Sequence, residues 1–457
     1  MATATATTAG SAEEQHVAGI AGLPPGPRVP ALAQTLAWAF APSWVMDRCA
    51  RRLGDMFTLT FWPSGMQLVL MSDPDAVKTV FTAPAELAPS AAGSSPVAPV
   101  MGPSSVIVLT GPEHMRQRKL LLPPFHGERM REYESVIVEA TERDMASWPL
   151  GEPMSLQPRT RAITLEVILR AVFGVEAERM GPLKAAIGGL LEPMHTLALL
   201  RVALRRSGTG RPTGAIARAL ERLDELIYAE IAGRREQSDL AERTDILSLL
   251  MQARDEDGQP MTAGELRDEL VTLLLAGHET TATAVAWALE RLVRHPRELE
   301  RLVEDLDAGS ERYLMAVVNE TLRVRPVVPI VARILTGPLR VGGYELPAGT
   351  RLAPSIYLTN RNPAVYEEPE AFRPERFLED APDTFAWIPF GGGIRRCIGA
   401  SFAQLEMKLM LRTMLAELRP SRPPKRRWRE GEWIRRRAIT LVPAAGARVV
   451  WERRRGT

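Results

Sequence analysis

The chain has 457 residues, 45% of them hydrophobic and 25% charged, a formal net charge of +2, and two cysteines, Cys49 and Cys397. That apolar content is ordinary for a globular protein with a sizeable core, while two cysteines exclude a disulfide framework and point to a reducing cytoplasm. Length alone would allow two or three domains, but no Gly/Ser linker, low-complexity run or internal repeat divides the sequence.

Residues 1–22 are small and polar and are expected to be a flexible segment. They hold neither a charged n-region with an apolar core nor a run long enough to span a membrane, so no transmembrane anchor is expected. A proline-rich stretch, LPPGPRVP, follows at 23–30. Residues 34–53 read as a helix, and MFTLTFW (56–62) and MQLVLM (66–71) as strands turned at Pro63-Ser64-Gly65. Asp73-Pro74 opens a short helix to Phe81. From Ala83 to Ser105 the chain is rich in Pro, Gly, Ser and Ala, a long loop of the kind that serves as a lid or binding loop.

Gly111 to Leu122 predicts a helix with His114 and Arg118 on one face, at i and i+4. Apolar periodicity predicts further helices at 128–148, 160–173, 183–203 and 215–236. From Met261 to His295 there is no proline, and Val271 to Gly277 is apolar nearly all round, which predicts a long buried helix. AGHETT, Ala276 to Thr281, lies in its middle. A carboxylate there is costly unless functional or paired, which singles out Glu279. Ala276 and Gly277 leave one helix face nearly bare, and Thr280 can bond back to a backbone carbonyl and bend the helix. On the residues alone this is a small-residue packing face with a kink.

A helix at 311–325 carries Glu320 and Arg323 at i, i+3, a common ion-pair spacing. VVPIVARILT and LRVGGYELPAGTRLAPSIYL then read as strands, and Pro374-Glu375-Arg376-Phe377 follows. Near the end WIRRRAITLVP reads as a strand. From Arg412 onward 14 Lys/Arg stand against 4 Asp/Glu, but no DNA-binding motif supports them, so they read as solvated basic surface and no nucleic-acid partner is expected.

The most informative stretch is FGGGIRRCIGA, Phe390 to Ala400. Gly391, Gly392 and Gly393 before Cys397, and Gly399 after it, let the backbone turn tightly and approach another body closely. A helical pattern resumes past Gly399, so Cys397 stands at the mouth of a helix. The dipole and free N–H groups there, with Arg395 and Arg396 alongside, favour a thiolate. An inert buried thiol, a nucleophile that wants a nearby base and a metal-bound thiolate are all open at this point.

Phe390, Gly393, Arg395, Cys397 and Gly399 fill every fixed position of FxxGxRxCxG, and AGHETT, ExxR and PERF precede it in order. On these motifs the chain resembles the cytochrome P-450 family, soluble bacterial type, from the proline-rich stretch to the last strand. The resemblance implies a mainly α fold with a small β region, one catalytic unit over 23–457, and haem b held by Cys397 as its axial thiolate, with Phe390, Gly391 and Gly399 around the sulfur. It implies that His114, Arg118, Arg333 and Arg395 bind the haem propionates and that Ala276 and Gly277 form an oxygen-binding groove. Glu279 and Thr280 resemble the acid–alcohol pair that carries protons through ordered water, and Glu320, Arg323 and Arg376 the family's structural triad.

The implied activity is insertion of one atom of O2 into a C–H or C=C bond of an apolar small molecule. Electrons would come indirectly from NAD(P)H through a ferredoxin, or a flavodoxin, and its reductase, and the enzyme is expected to be a monomer. The pocket is expected from Val97, Val100, Leu273, Ala276, Val327, Val328, Ile330, Ala438 and Ile439. Arg116, Lys119, Arg395, Arg396, Lys408 and Arg412 are expected to form a basic face that steers an acidic electron donor. The alternatives are a peroxygenase, an O2-independent isomerase or dehydratase of the same fold, and a haem sensor or carrier. The Glu279–Thr280 pair speaks against each, since none of them needs that proton relay.

Overall fold

The computed structural model describes residues 20–94, 98–174, 180–192, 212, 214–379, 382–424 and 431–454. Helices α1 (Ala31–Phe40) and α2 (Pro42–Leu53) stand where the sequence predicts one continuous helix. The break falls at Ala41, whose φ of −141° and ψ of 55° are not helical. Pro42 explains it, because its ring disfavours the α region for the residue before it and it has no N–H to continue the ladder. Strands β2 (Met56–Phe61) and β3 (Met66–Met71) then form the predicted hairpin. Helix α3 (Pro74–Thr82) opens with the Asp73 carboxylate accepting from the Ala76 N–H at 2.8 Å, a standard N-cap.

Helices α4 (Gly111–Leu121), α5 (Arg129–Met145), α6 (Gln157–Phe173), α7 (Gly181–Leu191), α8 (Ala215–Arg235) and α9 (Ile246–Gln252) follow. The predicted helix at 183–203 is thus seen only in its first part; 193–203 lie outside the described residues. Helix α10 (Ala263–Leu292) is the long buried helix. Its start is fixed by a capping box, in which Thr262 and Glu265 each bond the other's backbone N–H. Helices α11 (Pro296–Asp307), α12 (Arg312–Val324) and α13 (Ala400–Glu417) complete the main helical set.

The strands form small sheets. The four-stranded one runs β2-β3-β8-β5, with β8 at Arg351–Pro354 and β5 at Arg333–Ile334. A three-stranded sheet joins β1 (Ile20–Ala21) to β7 (Tyr344–Leu346) and β6 (Leu339–Val341). Another joins β4 (Pro153–Ser155), β12 (Arg448–Arg453) and β9 (Leu418–Ser421). WIRRRAITLVP is not one strand but a hairpin, β10 (Ile434–Arg437) against β11 (Thr440–Pro443), with Ala438 in the left-handed region at φ 51°. Two residues between Arg437 and Thr440 reverse the chain, a tight turn that hydrophobic pattern alone does not announce.

The core is built around α10. Leu270, Val271, Leu274, Val285, Trp287 and Leu289 are fully buried, each worth roughly 1.5–3 kcal/mol of apolar burial. α6 lies alongside and supplies hydroxyls to the α10 backbone: Thr160 Oγ1 donates to the Ala282 carbonyl and Thr164 Oγ1 to that of His278, both at 2.9 Å. Trp287 Nε1 donates to the Leu441 carbonyl at 2.9 Å, tying α10 to β11.

The long loop before α4 is less free than its composition suggests. Arg267 donates to the Val100 and Met101 carbonyls, Asp268 accepts from Ser104 N–H, Glu269 accepts from Val106 N–H, and Thr272 donates to Ser105 Oγ. Four residues of α10 between Arg267 and Thr272 thereby latch residues 100–106. Burial raises the Glu269 carboxyl to about 8. Val97, expected to line a pocket, lies outside the described residues.

Candidate active site

The cysteine loop is shaped by contacts that only glycine permits. Gly393 has φ 65°, and a Cβ there would sit 2.2 Å from the Phe81 carbonyl oxygen; one on Gly392 would sit 2.3 Å from the Phe81 ring. The loop therefore lies directly on the end of α3. Gly391, at φ 68°, makes the turn after Phe390. Cys397 N–H donates back to the Phe390 carbonyl at 2.9 Å, and α13 begins three residues on with Gly399 as its N-cap. Burial raises the Cys397 thiol, while the Gly399 N–H, Arg396 and Arg118 oppose that shift.

His114 and Arg118 of α4, Arg333 of β5 and Arg395 of the cysteine loop, drawn from three segments, come together. His114 is buried, its Nδ1 has no partner, and burial followed by Arg395, Arg118 and Arg333 lowers it to about 4. Burial and then Arg333 and Arg118 lower Arg395 to about 10, and burial lowers Arg333 to about 10. None of the three arginines has a carboxylate partner among the described residues. Arg395 also donates to the Val106, Ile107 and Leu109 carbonyls, so it holds the loop before α4 against the cysteine loop.

On α10, Leu273, Ala276, Gly277 and Thr280 are half-buried between buried neighbours. Their spacing of i, i+3, i+4 and i+7 marks one face. Thr280 Oγ1 donates to the Ala276 carbonyl at 2.6 Å, the predicted back-bond. The open side of Gly277 has a second cause: a Cβ there would come 3.2 Å from Ile168 Cδ1 on α6. Glu279 is buried and paired, its Oε2 2.8 Å from Arg161 Nε on α6 and its Oε1 3.7 Å from Arg437 Nε on β10. Sequence reasoning asked for such a partner but named none.

Two further buried groups, one within AGHETT and one packed against it, were also missed. Glu406 on α13 is raised to about 8 by burial, against a hydrogen bond from Thr281, and its Oε1 has no partner. His278 is lowered to about 3 by burial, then by Arg161 and Arg437, and its Nδ1 lies 3.1 Å from Thr164 Oγ1. An ionisable residue in an apolar helical run is the only signal that could have found either.

Glu320, Arg323 and Arg376 meet in the core. Arg323 bonds both Glu320 oxygens, at 2.6 and 2.8 Å, and donates to the Asn360, Pro369 and Ala371 carbonyls. Arg376 Nε stands 3.7 Å from Glu320 Oε1. Of the expected pocket residues, Val100 and Val327 are buried, Leu273, Val328 and Ile330 partly buried, Ala438 half-buried and Ile439 exposed. The Leu441 N–H donates to the Val327 carbonyl, which draws the β10–β11 hairpin to that segment.

The expected basic face needs correction. Lys408 and Arg412 both pair with Glu311, Arg116 pairs with Asp255 and Glu265, and Lys119 pairs with Glu256. Arg395 is turned inward. Of the six, Arg396 is exposed and makes no ion pair among the described residues. Charge counting along the sequence could not see acids contributed by other helices.

A glycine-built cysteine loop, a cation cluster without carboxylates, and a long helix with an acid–alcohol pair together define the class of haem-thiolate proteins. The comparisons agree. The cytochrome P-450 family model matches residues 23–433. A Mycobacterium tuberculosis relative named cytochrome P-450 137 is 41% identical over 448 residues, covering 95% of this chain and 92% of its own length. Cytochrome P-450 135B1 of Mycobacterium bovis is 40% identical over 437 residues, covering 94% and 91%. Among solved structures, the retinoic acid-bound cyanobacterial CYP120A1 has a TM-score of 0.81 at 24% identity, over 94% of this chain and 99% of that one. The haem domain of P450DA has a TM-score of 0.83 at 23% identity, over 95% and 99%. The chain belongs to the cytochrome P-450 family, whose members are haem-thiolate monooxygenases that use O2.

Proposed function

We propose that this enzyme inserts one oxygen atom of O2 into a C–H or C=C bond of an apolar small molecule, with electrons from a separate ferredoxin, or a flavodoxin, and its reductase. The observation that carries the reading is the donor set around Cys397. His114 Nδ1 is a buried orphan, and Arg118, Arg333 and Arg395 crowd it without a carboxylate. Such a cluster wants anions, and the two haem propionates suit it, since guanidinium groups pair well with carboxylates. When bound through the Cys397 thiolate, haem supplies the oxidising chemistry, the thiolate pushing electron density that favours O–O cleavage.

The remaining chemistry is the chain's own. Thr280 donates to the Ala276 carbonyl, which leaves its oxygen lone pairs to accept a proton-bearing water. Arg161 and Arg437 pair with Glu279 and orient it. Release of the longer Arg437 contact lets Glu279 turn between solvent and Thr280 and pass protons inward. The half-buried face at Leu273 and Ala276 and the apolar Val100 and Val327 favour an apolar substrate. The test is turnover with a ferredoxin pair under labelled dioxygen. One labelled oxygen per product molecule is expected. Product formed without dioxygen, or only with added hydrogen peroxide, would overturn the reading.

A further inference from the structure

The exposed apolar side chains of this protein are not scattered. Among the described residues, seven of the thirteen exposed large hydrophobics fall between Val29 and Met66. Leu32, Leu36 and Phe40 recur every four residues along α1 and share one face. Gln34, Thr35 and Ala39 are buried on the other side. Thr35 Oγ1 accepts the Trp62 N–H at 2.8 Å and donates to its carbonyl at 3.4 Å. These bonds seat the β2–β3 turn, with exposed Trp62 and Met66, against the middle of α1. Trp44, 53% exposed, continues the patch onto α2.

The rim of this patch is basic. Arg48 lies one turn beyond Trp44 with its guanidinium 5.5 Å from the ring centroid. Arg51 and Arg52 follow on the same helix face, at i+7 and i+8 from Trp44. Arg28 adjoins Val29. All four are exposed and none makes an ion pair among the described residues. The nearby acids are engaged inward: Asp47 accepts from the Tyr357 hydroxyl, and Asp55 from Ser72 Oγ and Asn362 Nδ2.

Single exposed apolar groups need no explanation, but a contiguous patch does. An aliphatic stripe edged by tryptophans and rimmed by arginines is the composition of elements that lie in a membrane interface. A second copy of this chain fits less well, since an isologous contact would bring the same arginines together. No helix among the described residues is long and apolar enough to cross a membrane, so the contact would be peripheral. The hairpin beside this face also reaches the site: Arg436 donates to the Trp38 carbonyl at 3.3 Å, and the next residue, Arg437, pairs with Glu279.

We propose that the face formed by α1, the start of α2 and the β2–β3 turn docks on an anionic phospholipid surface. Leu36, Phe40 and Trp44 enter the headgroup boundary, and Arg28, Arg48, Arg51 and Arg52 meet lipid phosphates. The test is co-sedimentation of the full-length haem-loaded protein with phosphatidylglycerol–phosphatidylcholine vesicles and with phosphatidylcholine alone. Binding is expected to the anionic vesicles and to fall with salt. Each arginine near such a surface is worth about 1 kcal/mol, so Arg51→Gln and Arg52→Gln should each weaken partitioning about five-fold. Leu36→Ser with Phe40→Ser should abolish it without changing the haem spectrum, which would report a folding defect separately. No binding to anionic vesicles, or equal binding by the variants, overturns the proposal. So does a concentration-dependent dimer in size-exclusion chromatography that Leu36→Ser with Phe40→Ser dissolves, since that makes the face a self-association surface. Binding seen only after deletion of residues 1–19 also overturns it, since the chain's own N-terminal segment would then cover the face.

Discussion

Replacing Glu320 by alanine removes the anion from a site with no access to water. Glu320 and Arg323 are both 0% exposed, and the pair is held by two bonds of 2.6 and 2.8 Å. Without Glu320, Arg323 keeps its three carbonyl acceptors but its charge is uncompensated. Arg373 N–H, which donates to Glu320 at 2.8 Å, loses its acceptor, and Arg376 loses its only carboxylate within 4 Å among the described residues. Breaking one side of a buried pair costs about 3–5 kcal/mol, and an orphaned buried N–H about 1–3 more. Against a total stability of about 5–15 kcal/mol, that is about a quarter of it or more. Arg323→Lys should lose less, because a lysine keeps the charge but cannot make the five-bond fork. Glu320→Ala with Arg323→Ala should lose less than the sum of the single changes, because no charge is left stranded. Urea unfolding, with haem content per chain read alongside, measures all four variants. Single variants within about 0.5 kcal/mol of wild type, as expected of a surface change, or strictly additive losses, would refute the reasoning.

Thr280→Ala should keep haem and substrate binding but divert electrons to hydrogen peroxide, read as peroxide formed per NAD(P)H consumed. Glu279→Gln should slow turnover by about 10²–10⁴-fold and change the solvent isotope effect; full coupled activity in both variants would reject the relay. Gly393→Ala should yield protein with little bound haem, because the new methyl would overlap the Phe81 carbonyl and φ 65° disfavours alanine; normal haem loading would contradict that account of the loop. Glu406 is raised to about 8 from an ordinary value of 4.5, so the folded state keeps a proton that the unfolded state loses. Its contribution to stability is therefore present below about pH 4.5 and falls away as pH rises to about 8. Glu406→Gln should flatten the stability profile across that window, and an unchanged slope by urea unfolding at several pH values would contradict it.

The parts of this protein legible in sequence are those whose chemistry is local. Gly391, Gly393 and Cys397 announce a tight loop at a helix mouth because turn geometry is set within a few residues. The helices α4, α8, α10 and α12 follow from periodicity and, for α10, from a long proline-free apolar run. What failed was either a single backbone break or a partner supplied from elsewhere. Pro42 divides one apolar run into α1 and α2, and the turn at Ala438 divides another into β10 and β11. Arg161 and Arg437 reach Glu279 from α6 and β10, and Glu311 neutralises Lys408 and Arg412 from α12. No spacing rule links such residues, because the fold alone brings them together. The sequence named Glu279 as a residue that needs a reason, and the structure supplied its partners.

The most direct test of the central claim is the spectrum of the reduced, carbon monoxide-saturated protein. With Cys397 as a thiolate ligand of haem, the Soret band is expected at the red-shifted position typical of this family, and Cys397→His should move it to that of an ordinary haem protein. An ordinary Soret band in the wild type, or a red-shifted band that survives Cys397→His, would contradict the assignment.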